Sequence, residues 1–224
     1  MRAVSVLVLL LAESASAQDL AAGKDVYGPC AACHGANAEG GKGGEYPRLA
    51  TLPVPYLIDQ LKAFQQRRRI NLPMFPYTEQ RELNEGDMKD VAAYLKSLEL
   101  PVTTPQLPET ASSLERLEAS QKVLVVPRVE GDLEKGKTAY HRRCAGCHGP
   151  SGQGRADFPR LINQWPSYLV KQTQKMRAGE RPHEGDSAET DVLHRVKEQE
   201  VSDILAWLTS IQSEPPQPDE KDKP

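Results

Sequence analysis

The sequence predicts an all-α fold built from two tandem copies of one small helical domain. Three observations predict it. Matching segments recur along the chain at an offset that drifts only between 112 and 114 residues. Apolar residues return at helical spacing, in Met88, Val91, Ala92 and Leu95 and again in Val201, Ile204, Leu205 and Leu208. No run alternates convincingly with the period of a half-buried strand.

The chain opens with Met1-Arg2, an apolar stretch from Ala3 to Ala12 and the small-residue signal Ala15-Ser16-Ala17. This reads as a secretory signal peptide over residues 1–17, cut before Gln18. At about ten residues the stretch is half the length a membrane-spanning helix needs. The first domain is placed at 18–100 and the second at 131–213. In each, a first helix starts near an Asp cap (Asp19, Asp132) and runs into a cysteine motif. A second starts near Pro55 or Pro166, at a position proline tolerates, and continues to about Arg68 or Ala178. A third carries the apolar faces given above and begins at Asn84 in the first copy. Residues 101–130 form a linker with a short helix from Ser113 to Lys122 and one strand-like run, Val123 to Val126, apolar enough to pack on a domain. Residues 214–224, rich in proline and charge, read as a disordered tail.

Charge is nearly balanced: 28 Lys and Arg against 31 Asp and Glu. Neither copy carries a strong field, so nucleic acid is not an expected partner. About 83 residues per copy build only a small core, which a buried apolar cofactor would enlarge.

The cysteines name that cofactor. Cys30-Ala31-Ala32-Cys33-His34 and Cys144-Ala145-Gly146-Cys147-His148 are two copies of C-x-x-C-H, and they use all four cysteines. In this pattern two thiols form thioethers to one haem and the adjacent histidine ligates its iron. A zinc site would call for further cysteines or spaced histidines, and a thioredoxin-like motif for a preceding strand. A disulfide would leave the two matched histidines unexplained. Two covalently bound haem c groups are therefore expected, attached outside the bacterial inner membrane and so in the periplasm.

For the sixth ligand of the first iron, Met74 stands 40 residues after His34 in Asn71-Leu72-Pro73-Met74-Phe75-Pro76, an extended loop framed by prolines. A thioether there favours the ferrous state and raises the potential. Met88 is assigned to the core of the third helix. The second copy has no methionine in the corresponding loop. Its Met176 aligns with Phe64 and is read as core. His183 follows Arg181-Pro182 at the place nearest to Met74 and is the preferred ligand; His194 and no sixth ligand are the alternatives. With histidine on both sides, haem two has a lower potential than haem one. His141 reads as a solvated helix residue and Arg67-Arg68-Arg69 as a charge run at a helix end. Tyr56 and Tyr168 are expected to pack near the haems, with their hydroxyls within reach of propionates.

On these residues the chain resembles the dihaem class I cytochromes c, of the cytochrome c4-like kind. The likeness rests on the two C-x-x-C-H-G segments, on Pro47-Arg48-Leu49 with Pro159-Arg160-Leu161, on Tyr56-Leu57 and Gln60 with Tyr168-Leu169 and Gln172, and on the final aromatic-bearing helices. The resemblance implies two cytochrome c folds packed face to face about a pseudo-twofold axis. It also implies electron shuttling between membrane-bound complexes and periplasmic acceptors or terminal oxidases. The missing second methionine and the long linker depart from it.

Three functions compete. A soluble electron carrier between respiratory redox proteins is preferred, because the sequence shows no acid–base pair beyond the haems. A dihaem oxidoreductase, or the electron-accepting subunit of a periplasmic dehydrogenase such as thiosulfate dehydrogenase or a peroxidase, is the second. A structural subunit of a larger respiratory complex is the third.

Overall fold

The computed structural model describes residues 19–183 and 192–212. The expected signal peptide and tail lie outside them. Helix α1 (Leu20–His34) starts where Asp19 accepts the N–H groups of Ala21 and Ala22. It is followed by α2 (Val54–Gln65), the single turn α3 (Phe75–Thr78) and α4 (Glu85–Ser97). The linker carries α5 (Ser113–Gln121). The second domain runs α6 (Leu133–Arg143), α7 (Ala145–His148), α8 (Pro166–Arg177) and α9 (Glu198–Ser210). Asn84 opens α4 in a capping box with Asp87, and Ser112 opens α5 in one with Glu115.

The first and last helices of each domain cross closely, α1 on α4 and α6 on α9. Glycine makes the crossing possible. A Cβ on Gly23 would stand 2.2 Å from the Asp90 carbonyl oxygen, and one on Gly136 would stand 1.9 Å from that of Asp203. The same two aspartates cap the crossing with their side chains, accepting the N–H of Asp19 and of Asp132 at 3.0 Å each. Around this joint Tyr27, Leu57, Val91 and Leu95 form one core, with Met88 fully buried beside them. Tyr140, Ile204, Trp207 and Leu208 form the other.

Three sequence expectations are corrected. Helix α2 ends at Gln65, short of Arg68, because Arg67 turns the chain at a φ of 59°. In domain two Gly179, at 70°, makes the same turn after α8. The run Val123 to Val126 is not a strand. The Gln212 side chain instead accepts the N–H of Val126 and donates to its carbonyl, so Leu124 and Val126 are buried without a ladder. The charge run does not stay in solvent: Arg69 is buried. The domains meet through Gln164, which brackets the Arg48 backbone with bonds of 2.9 Å to its N–H and its carbonyl. Trp165 adds a bond from its indole N–H to the Glu39 carbonyl at 3.0 Å.

Candidate cofactor centres

The two proximal histidines are prepared in the same way. His34 and His148 are both buried. Nδ1 of His34 lies 2.9 Å from the Pro47 carbonyl oxygen, and Nδ1 of His148 lies 2.8 Å from that of Pro159. A carbonyl only accepts, so Nδ1 carries the proton and Nε2 keeps its lone pair for a metal. Burial also holds both rings neutral, pressing His34 below its ordinary pKa and His148 down to about 4. The first thiol of each motif is shifted upward. Burial raises Cys30, and Cys144 to about 11, unlike the lowered pKa of a redox-active pair. All four cysteines are free of disulfides.

One difference between the motifs is an insertion. Two residues separate Tyr27 from Cys30, but three separate Tyr140 from Cys144. An extra residue would swing the motif by about 100° on a continuous helix. The helix breaks instead: α6 stops at Arg143, Cys144 takes φ −115° and ψ −33°, and α7 restarts. Both phenols therefore still donate to the glycine after the histidine, Tyr27 to the Gly35 carbonyl and Tyr140 to the Gly149 carbonyl, at 2.6 Å each.

On the distal side the halves part. Met74 ends a 3-10 turn, Leu72–Met74, that runs straight into α3, rather than sitting in an extended loop. Two prolines at early helical positions make the turn favourable. Thr78, fully buried, donates to the Met74 carbonyl at 3.1 Å. Gln65 donates to the carbonyls of Thr78 and Leu83, and the Arg67 guanidinium stacks 3.5 Å over Phe75. In domain two Arg177 takes the bracing role, donating to the carbonyls of Leu193 and Val196. His194 is exposed, with Nε2 2.9 Å from the Arg177 carbonyl oxygen. His183 is half-buried, its ring centroid 6.3 Å from that of His148 and the planes 37° apart. Met176 is not in the core: it is half-buried on a cavity wall.

That cavity, about 850 Å³, spans both domains and is bordered by His34 and Met74 on one side and by His148 and His183 on the other. Four further residues on its wall were not singled out as site residues: Arg48, Arg69, Arg160 and Arg181. All four are largely buried, and none forms an ion pair among the described residues. Burial, with Arg160 nearby, depresses Arg48, and burial depresses Arg160. Nε of Arg48 and Nε of Arg181 have no hydrogen-bond partner. Buried cations without counter-ions call for anions. Haem propionates would supply charge of the opposite sign at these arginines. Tyr56 and Tyr168 border the same cavity, and their hydroxyls accept hydrogen bonds from Arg181 and Arg69, both at 2.9 Å. A signal was present in the sequence: Arg48 with Arg160 and Arg69 with Arg181 are each 112 residues apart, as are the tyrosines.

Two covalent attachment motifs, two buried neutral histidines and a cationic cavity between them define a dihaem c-type electron-transfer protein. The chain belongs to the cytochrome c family, whose model matches it twice, over residues 20–99 and 133–212. It is 32% identical over 201 residues to cytochrome c4 of Pseudomonas aeruginosa, covering 88% of this chain and 90% of that one. It is 30% identical over 182 residues to a thiosulfate dehydrogenase electron acceptor of Thiomonas intermedia, covering 81% and 77%. The fold matches that of reduced recombinant cytochrome c4 from Pseudomonas stutzeri with a TM-score of 0.64 at 23% identity, over 86% of this chain and 98% of that one.

Proposed function

We propose that this dihaem cytochrome is a periplasmic electron carrier with two unlike centres. His34 and Met74 would hold the first iron, His148 and His183 the second. Each haem, once bound, supplies a reversible one-electron change between ferric and ferrous iron. Cys30, Cys33, Cys144 and Cys147 hold the porphyrins by thioethers. The Pro47 and Pro159 carbonyls orient the proximal rings, and the packed helices keep water away. A thioether opposite His34 favours the ferrous state, whereas a second imidazole favours it less, so the potentials separate.

The observation that carries the reading is the spacing of His148 and His183. Two imidazoles at this spacing would leave room for one iron between their nitrogens. The rings stand 6.3 Å apart. A near-infrared spectrum of the oxidised protein tests it: one His/Met and one bis-His signature are expected, with two separated waves in redox titration. Two overlapping high-potential waves would overturn it.

A second reading, the electron acceptor of a periplasmic dehydrogenase, is favoured by the relative from Thiomonas intermedia that bears this description. It predicts fast reduction of the ferric protein by thiosulfate with thiosulfate dehydrogenase, and two low-spin haems inert to cyanide. The periplasmic location rests on the apolar stretch and Ala15-Ser16-Ala17. Among the described residues no helix is long and apolar enough to cross a membrane. Protein purified from a periplasmic extract should begin at Gln18.

A further inference from the structure

At the centre of the domain contact lies a six-residue cluster with reciprocal bonding. Arg69, from the first domain, donates to Gln60 Oε1 of its own domain at 2.7 Å. It also donates across to Tyr168 Oη at 2.9 Å and to Gln172 Oε1 at 3.2 Å. Arg181, from the second domain, repeats the pattern. It donates to its own Gln172 Oε1 at 2.9 Å and across to Tyr56 Oη at 2.9 Å and Gln60 Oε1 at 3.2 Å. Each glutamine oxygen is thus shared by both arginines. Gln60, Arg69, Gln172 and Arg181 are all buried, and all border the cavity that both iron sites face.

Two like charges are held side by side here without a carboxylate from the described chain. Propionates would explain why charged rather than neutral side chains are buried here, and that pairing would set both cations beside the haems. A cation placed at the boundary of two redox centres has another effect. It stabilises the more negative, reduced state of each. We propose that Arg69 and Arg181 are shared tuning residues: each cation raises the midpoint potential of both haems, not only that of its own domain. The proposal rests on the presence of two haems and does not depend on which residue is the sixth ligand of the second iron.

The size follows from Coulomb's law. At about 10 Å and an effective dielectric constant of about 20, one unit charge alters a one-electron equilibrium by about tenfold. For such a couple a tenfold change is about 59 mV.

The test is spectroelectrochemical titration of the full dihaem protein with Arg69→Gln, Arg181→Gln and Arg69→Lys. Both waves are expected to move down by about that amount in either glutamine variant, and to stay near wild type in R69K. A shift of one wave alone, or of neither, would overturn the proposal. So would an R69K variant that shifts as far as R69Q or that fails to fold, because geometry rather than charge would then be at work. If the glutamine variants do not fold, Arg69→Met and Arg181→Met, which keep much of the side-chain length and remove the charge, are titrated instead, and both waves are again expected to fall. Haem content, measured as pyridine haemochrome, separates these outcomes from failure of the two-haem reading.

Discussion

The two halves of the molecule agree on the proximal side of each haem site and disagree on the distal side. Tyr27 and Tyr140 donate to equivalent glycine carbonyls, those of Gly35 and Gly149, and His34 and His148 meet equivalent proline carbonyls, those of Pro47 and Pro159. The chain between histidine and proline is two residues shorter in domain two, and an extra residue precedes its motif. The broken helix at Cys144 and the shorter loop absorb these changes while the bonds stay. The distal sides share only a bracing principle. Gln65 in one and Arg177 in the other tie down the carbonyls of the segment opposite the histidine. The lesson is that attachment is overdetermined, by helix crossing, phenol and carbonyl together.

The sharpest way to break the comparison is to make the halves alike. His183→Met should raise the lower-potential wave by on the order of 0.2 V, within the span of about 0.8 V that axial ligands command. A redox titration with no such rise would remove His183 from the iron. Met74→His is the converse and should bring the upper wave down by a similar amount.

Next in size are the helix crossings, where the halves should respond equally. Gly23→Ala and Gly136→Ala each drive a methyl into a backbone carbonyl. Each should destabilise its domain by about 1–3 kcal/mol in denaturant unfolding. Markedly unequal losses would show that the two crossings are not equivalent.

Smaller effects separate the distal supports. Thr78→Val removes the hydroxyl that holds the Met74 carbonyl. It should lower stability by about 1 kcal/mol and weaken the methionine–iron charge-transfer band, leaving haem two unchanged. Tyr27→Phe and Tyr140→Phe should each lose about 1 kcal/mol, measured by thermal unfolding, despite the differing helices around them.

Much of this was legible before any coordinates. Asp19, Asn84 and Asp132 are short-range signals, and each opens a helix as its side chain dictates. The attachment motifs are equally local, since five consecutive residues contain the whole chemistry. Positions that depend on distant partners were misread. Met176 aligns with the buried Phe64, yet it is only half-buried, on the cavity wall. Arg69 sits in a run of three arginines, and only the turn at Arg67 decides that it points inward.

The repeat, the helices and the number of haems were legible in the order of residues alone. These properties reside in contiguous residues or in the comparison of one half with the other. It took the folded chain to bring five arginines to one cavity, Arg143 among them, and to carry Arg69 and Arg181 into hydrogen bonds with the opposite domain. The physical reason is that burial of a charge is a property of the space around it. Its partners, Tyr168 for Arg69 and Tyr56 for Arg181, lie 99 and 125 residues away along the chain.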